Sequence, residues 1–195
     1  MIRVGLLGGI GSGKTFISKL FKYPTFNADN EVRLIYKNSR ECFLKLKKKL
    51  PKFINTYPIK KTELINAISF NNKNLKKISS VVHPIVRKKM RIFLYKNKKS
   101  KMVILDVPLL IENKLNKKDD VLIFINSKQN IILKRLRKRN NFDKNILKNL
   151  KNNQYNLLKK RKLADYIIDN NHSLNIMRKK IKLLKRRILY ERNST

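Results

Sequence analysis

Five glycines are all the chain contains, and they stand at positions 5, 8, 9, 11 and 13. Within them, Gly8-Gly9-Ile10-Gly11-Ser12-Gly13-Lys14-Thr15 matches G-x-x-x-x-G-K-[ST] without a gap. Glycine here lets the backbone take positive φ and bring its N–H groups close to phosphate oxygens. The apolar run Ile2–Leu7 precedes the loop, and a helical pattern through Phe16, Ile17, Leu20 and Phe21 follows it. That context separates a nucleotide-binding loop from a chance glycine turn. The helix start adds its positive dipole end. Gly11, Ser12, Gly13 and the Phe16 amide are expected to line the phosphates. Lys14 supplies a cation for the β- and γ-phosphates, and the Thr15 hydroxyl can ligate Mg²⁺. An Mg–nucleoside triphosphate is therefore the expected ligand.

Further short apolar runs at 25–28, 102–106, 121–125 and 166–168 read as buried strands. Helical patterns lie between them. Thr62, Ser127, Asp143 and Ser173 stand where N-caps are expected, and Pro84 fits a first helical position. Residues from about 33 to 100 show helices and no convincing strand. The alternation predicts an α/β fold with a parallel sheet, ligands binding beyond the carboxyl ends of its strands.

Several residues beyond the loop carry candidate chemistry. Asp29, at the end of the second strand, suits a carboxylate that takes or orients the proton of an attacking hydroxyl; equally, it suits a helix N-cap. Asp106 closes the third strand in a Walker-B position for Mg²⁺, against the alternative of a plain turn. Pro108 then breaks the strand and leaves Leu109 and Leu110 as an apolar ledge. No Glu follows Asp106, which disfavours an ATPase motor. His83, a lone histidine, is more ordinarily structural, and Arg87 suits an acceptor phosphate. Arg135, Arg137 and Arg139 form either a solvated helix face or a lid supplying guanidinium to the transferring phosphoryl group.

Lys and Arg number 49 against 12 Asp and Glu, a net charge of +37. Such a field attracts polyanions. The basic residues spread along the whole chain, however, and Lys, Asn and Ile together reflect AT-rich codons. Cys42 alone excludes an internal disulfide and a cysteine-based zinc site. With no apolar run long enough to span a bilayer and no signal-peptide pattern, a cytoplasmic location is expected.

In order and spacing these motifs resemble the dephospho-coenzyme A kinase family. The resemblance runs from Val4 to Asn171. It rests on Gly5–Lys14, on Asp29 with Arg33, and on His83-Pro84 with Arg87. It continues through Val107-Pro108-Leu109-Leu110 with Glu112, Arg139, Gln154 and Ala164–Asn170. It implies a P-loop kinase fold: a five-stranded parallel sheet flanked by helices in a single domain over residues 1–195. A helical acceptor-binding insertion at about 33–100 and a short lid at about 137–155 complete it. It also implies transfer of the ATP γ-phosphate to the ribose 3′-hydroxyl of dephospho-coenzyme A. Lys14, Asp29 and Arg139 would be catalytic, with Asp29 as the base or orienting carboxylate. Arg33, His83, Arg87 and Leu109 would join Asp29 at the acceptor, Thr15 and Asp106 would hold Mg²⁺, and Asn170 would lie near adenine. A monomer or weak homo-oligomer without a specific nucleic-acid or membrane partner is expected. Asn27 replaces an Asp of the family pattern, Asn140 stands where an acid often follows the lid arginine, and Phe16 replaces a hydroxyl residue.

Two rival readings remain at this point. A kinase for another small alcohol or nucleotide would share the loop, but leaves His83-Pro84 and Pro108–Leu110 unexplained. A nucleic-acid-stimulated ATPase would use the charge, yet the basic runs carry no interleaved aromatic platform.

Overall fold

Val4, Leu6, Met102, Ile104, Ile123 and Ile125 are apolar on strands buried on both faces, which is what a parallel sheet covered by helices requires. The computed structural model describes residues 1–138 and 155–193. The strands are β1 (Ile2–Leu7), β2 (Thr25–Asn27), β3 (Met102–Asp106), β4 (Val121–Asn126) and β5 (Tyr166–Asp169). They form one five-stranded sheet in the order β2-β3-β1-β4-β5. β1 pairs in parallel with β3 (Val4 opposite Ile104) and with β4 (Leu6 opposite Ile123), and β4 pairs in parallel with β5. The sheet and its flanking helices are those expected from the alternating pattern.

The helices are α1 (Lys14–Phe21), α2 (Ala28–Asn38), α3 (Arg40–Lys49), α4 (Lys61–Phe70), α5 (Lys73–Lys96), α6 (Gln129–Arg137), α7 (Leu157–Lys162) and α8 (Leu174–Asn193). The chain divides into two compact units: Met1–Phe26 with the chain from Asn97 onward, and Asn27–Lys96. In the first, Ile17 and Phe21 of α1 pack with Met177, Ile181 and Ile188 of α8 and with the sheet. Arg3 on β1 forms an ion pair at 3.0 Å with the buried Asp120 just before β4. The second unit is helical. Ile35, Cys42, Leu46, Ala67, Ile78, Val82, Val86 and Met90 fill its core. Burial pushes the Cys42 thiol up to about 11, so it stays a protonated, unreactive core group.

Local expectations fail in four places. Ala28 opens α2 instead of closing β2. Pro84 lies inside α5 rather than at its start, because the buried series Ile78, Val81, Val82, Val86 and Met90 runs continuously past it. Burying that face outweighs the helical bond that proline removes. Thr62 is inside α4, whose approach is organised by Glu63: its carboxylate accepts the amides of Asn55, Thr56 and Lys60. Ser127 precedes the cap position, which Lys128 occupies. Asp143 lies outside the described residues. Ser173 does sit at a helix start, its carbonyl accepting the Met177 amide at 3.0 Å.

Candidate active site

The loop between β1 and α1 needs its glycines at identifiable points. Gly8, Gly11 and Gly13 have φ of 142°, 81° and 95°. A Cβ at Gly8 would lie 2.7 Å from the Ile125 carbonyl oxygen and 2.8 Å from Ser12 Oγ. Lys14 Nζ donates to the Gly8 and Gly9 carbonyls at 3.1 and 3.0 Å, folding its cation back over the loop.

Behind the loop, the Ser12 carbonyl accepts from three groups. Asn170 Nδ2 donates at 2.9 Å, Arg135 Nη1 at 3.1 Å and Ser127 Oγ at 3.0 Å. Arg135 also donates to the Asn170 carbonyl at 3.0 Å, and to Ser127 Oγ at 3.1 Å. In a planar trans peptide, C=O and the following N–H point in opposite directions. Pulling the Ser12 carbonyl backward therefore turns the Gly13 N–H outward, as a phosphate cradle requires. Asn170 is 1% exposed, so its place is fixed. Burial lowers the Arg135 pKa from its ordinary value, though not enough to discharge a guanidinium. Arg135 had two open readings from the sequence, and this buttress was neither; the run of alternating Arg and Lys gave no signal that one member turns inward.

Thr15 Oγ1 donates to Asp106 Oδ2 at 2.6 Å, and Asp106 is 3% exposed. Strand β3 thus delivers its terminal carboxylate to the first turn of α1. These are hard oxygen donors. No group of three or more His, Cys, Asp or Glu that could hold a metal occurs among the described residues. The pair fits Mg²⁺, which takes few protein oxygens and completes its octahedron with phosphate and water. The Phe16 side chain is exposed.

Leu109 and Leu110 separate in the structure. Leu110 is fully buried, lying where a Cβ at Gly5 would collide with it, and only Leu109 is half-exposed. The expected two-residue ledge is therefore one residue. Glu112, six positions beyond Asp106, pairs with Lys160 of α7, a contact no local pattern announced.

The helical unit carries the other candidates. Asn27 Oδ1 accepts the Asn30 amide at 2.7 Å and is the N-cap of α2. Asp29 is on the exposed first turn, so it is not the cap. Arg33, four residues on, shares its face and donates to Asn30 Oδ1 at 2.6 Å. On α5, His83 is half-buried and Arg87 exposed one turn later. Burial, with the Arg87 charge added, lowers the His83 pKa and favours a neutral imidazole. Arg139, Asn140 and Gln154 lie outside the described residues.

Residues 2–175 match the family model for dephospho-CoA kinase. The chain belongs to the dephospho-CoA kinase family. Two curated dephospho-CoA kinases illustrate the likeness. The one from Wolbachia pipientis wMel is 33% identical over 85% of this chain and 87% of its own length. That from the Wolbachia of Brugia malayi is 34% identical over 87% and 89%. Among solved structures, dephospho-CoA kinase from Campylobacter jejuni superposes with a TM-score of 0.66 at 20% identity, covering 97% of this chain and 98% of its own. Shikimate kinase from Acinetobacter baumannii gives 0.56 at 14% identity, covering 98% and 94%. At these identities the structural matches speak for the P-loop kinase fold alone. In this dephospho-CoA kinase family member, the loop, Asp106 and Asn170 all belong to one compact unit.

Proposed function

We propose that the chain is a dephospho-CoA kinase that transfers the γ-phosphoryl group of ATP to the ribose 3′-hydroxyl of dephospho-CoA, giving CoA and ADP, the last step of CoA biosynthesis. One observation carries the chemistry: a phosphate loop braced from behind at Ser12 and joined through Thr15 to Asp106, in a chain of this family.

Catalysis is positioning and charge stabilisation. The loop amides and Lys14 hold the β- and γ-phosphates; on nucleotide binding, Lys14 exchanges the Gly8 and Gly9 carbonyls for phosphate oxygens. Thr15 and Asp106 hold Mg²⁺, which neutralises charge on the phosphates when bound. Asp29 orients the acceptor hydroxyl and takes its proton as the new P–O bond forms and the bond to the β-phosphate oxygen breaks. Arg33, His83, Arg87 and Leu109 contact the acceptor. A neutral His83 serves as a hydrogen-bonding group rather than a second cation beside Arg87. Arg139 stabilises the transferring group, and Asn170 borders adenine. The enzyme is expected in the cytoplasm as a monomer or weak homo-oligomer. No helix among the described residues is long and apolar enough to cross a membrane.

The test is ADP release from Mg-ATP with and without dephospho-CoA, with product mass. Acceptor-dependent release and a 3′-phosphorylated product are expected. A folded, ATP-binding sample that ignores dephospho-CoA would overturn the assignment and turn attention to other alcohols.

A further inference from the structure

Lysines crowd the surface of this chain, yet Lys160 is buried. Its side chain is 1% exposed, and Nζ stands 2.7 Å from Oε1 of Glu112, itself 8% exposed. The same carboxylate oxygen accepts the Tyr155 amide at 2.9 Å. Glu112 is held in the loop after β3, where the Asn113 and Leu115 amides donate to the Leu109 and Leu110 carbonyls. Lys160 is on α7, whose start is capped by Asn156 accepting the Leu158 amide at 2.8 Å. The first residue of that helix, Leu157, faces the phosphate loop: a Cβ at Gly9 would lie 3.4 Å from Leu157 Cδ2. Gly9 is one of the two residues whose carbonyls hold Lys14. The Asp106 loop is thus tied through the ion pair to α7, whose exposed Leu157 lies beside Gly9, and Gly9 in turn holds Lys14.

A buried ion pair contributes little net stability, because desolvation offsets the attraction, and a well-packed apolar pair often replaces it without loss. What it does impose is one geometry. We propose that Glu112 and Lys160 form a positioning pair for phosphoryl transfer. Their contact fixes α7 so that Leu157 braces Gly9, and the Gly8–Gly9 half of the phosphate loop keeps the place at which Lys14 meets the phosphates. The Ser12 buttress fixes the other half of the loop from behind, so the two devices act on opposite ends of one cradle.

The inference rests on the kinase reading, and its test separates the two. Wild-type activity is measured first; absence of acceptor-dependent ADP release would count against the kinase reading alone. Amide exchange of Gly8–Gly13, followed by mass spectrometry, tests the pair without any turnover. The informative protein is the double variant E112L/K160M, which removes both charges together. It is expected to keep the wild-type urea midpoint, to exchange its loop amides faster, and to lose about tenfold in kcat with KM for dephospho-CoA changed less than about threefold. Wild-type kcat and wild-type loop exchange in that variant would overturn the proposal. Should the double variant fail to fold, K160R against K160Q decides at a temperature where both are folded. Arginine keeps the pair and is expected to retain kcat that glutamine loses; equal kcat in the two would overturn it.

Discussion

At the scale of single residues, Asp29 shows what a structure adds to a motif. Its sequence position served a helix cap as well as it served a catalytic carboxylate. Asn27 Oδ1 now occupies the cap, so the Asp29 charge is not needed to start α2. Asp29→Asn is expected to lower kcat by about 100-fold or more while leaving ATP affinity within about twofold, the signature of a lost proton acceptor. Its cost in stability should stay under about 1 kcal/mol, the size of a first-turn helix-dipole contribution. Steady-state kinetics, nucleotide titration and urea melts check the three. Equal losses of kcat and ATP affinity would remove Asp29 from proton chemistry. Asn27→Ala should show the reverse: about 1 kcal/mol of stability lost and kcat per folded molecule little changed. Arg135→Met should raise the ATP KM about tenfold, because one charged donor leaves the Ser12 carbonyl and the Gly13 amide is less firmly aimed; an unchanged KM would reduce the buttress to packing. The loop glycines were readable because their motif is contiguous in sequence, and Asp106 because it closes an apolar strand, although its partner Thr15 is 91 positions away. Arg135 and Lys160 were not, because each bonds a group more than 40 positions away and looks like any other cation in a lysine-rich run.

At the scale of elements, strands were the easier reading. A buried parallel strand is a short apolar run, and Met102–Asp106 needs nothing else to announce it. Helix ends were harder. Lys60 and Lys128 are at N-cap positions without being cap-forming residue types; Glu63 accepts the Lys60 amide and Asn171 Oδ1 the Lys128 amide. Helix α5 is the instructive case. Pro84 costs it a backbone bond that its continuous buried face absorbs, and His83 and Arg87 flank that point. Pro84→Ala should raise the urea midpoint by restoring the bond, while raising the KM for dephospho-CoA as the two side chains lose their set direction. A lower midpoint, or an unchanged KM, would show that the proline neither strains nor aims the helix. His83 adds a pH signature. Its folded pKa is lowered from the ordinary 6.5, so the unfolded chain binds its proton more readily. The stability it contributes is complete above 6.5 and is lost as pH falls through the folded value. Melts in acid steps below neutrality should fall less steeply in His83→Gln than in the wild type.

For the whole molecule, the unresolved quantity is the charge. Of the few acids present, Glu31, Glu41, Glu112, Asp120 and Glu191 are already in ion pairs with basic partners. Most of the +37 therefore faces water and repels itself. Salt shortens the reach of that repulsion from about 30 Å at 0.01 M to about 3 Å at 1 M. Raising NaCl should accordingly raise Tm, the opposite of a protein held by surface ion pairs. The same screening weakens long-range attraction of a polyanionic nucleotide, so the ATP KM should rise over the same range. Chloride is the appropriate anion, because sulfate would also occupy a phosphate loop and stabilise by binding. Opposite slopes for stability and substrate affinity would mark the charge as a general field, one that destabilises the fold while it gathers anions. A Tm that falls as chloride is added would instead mean that the cations are locally compensated, and that the field is smaller than composition implies.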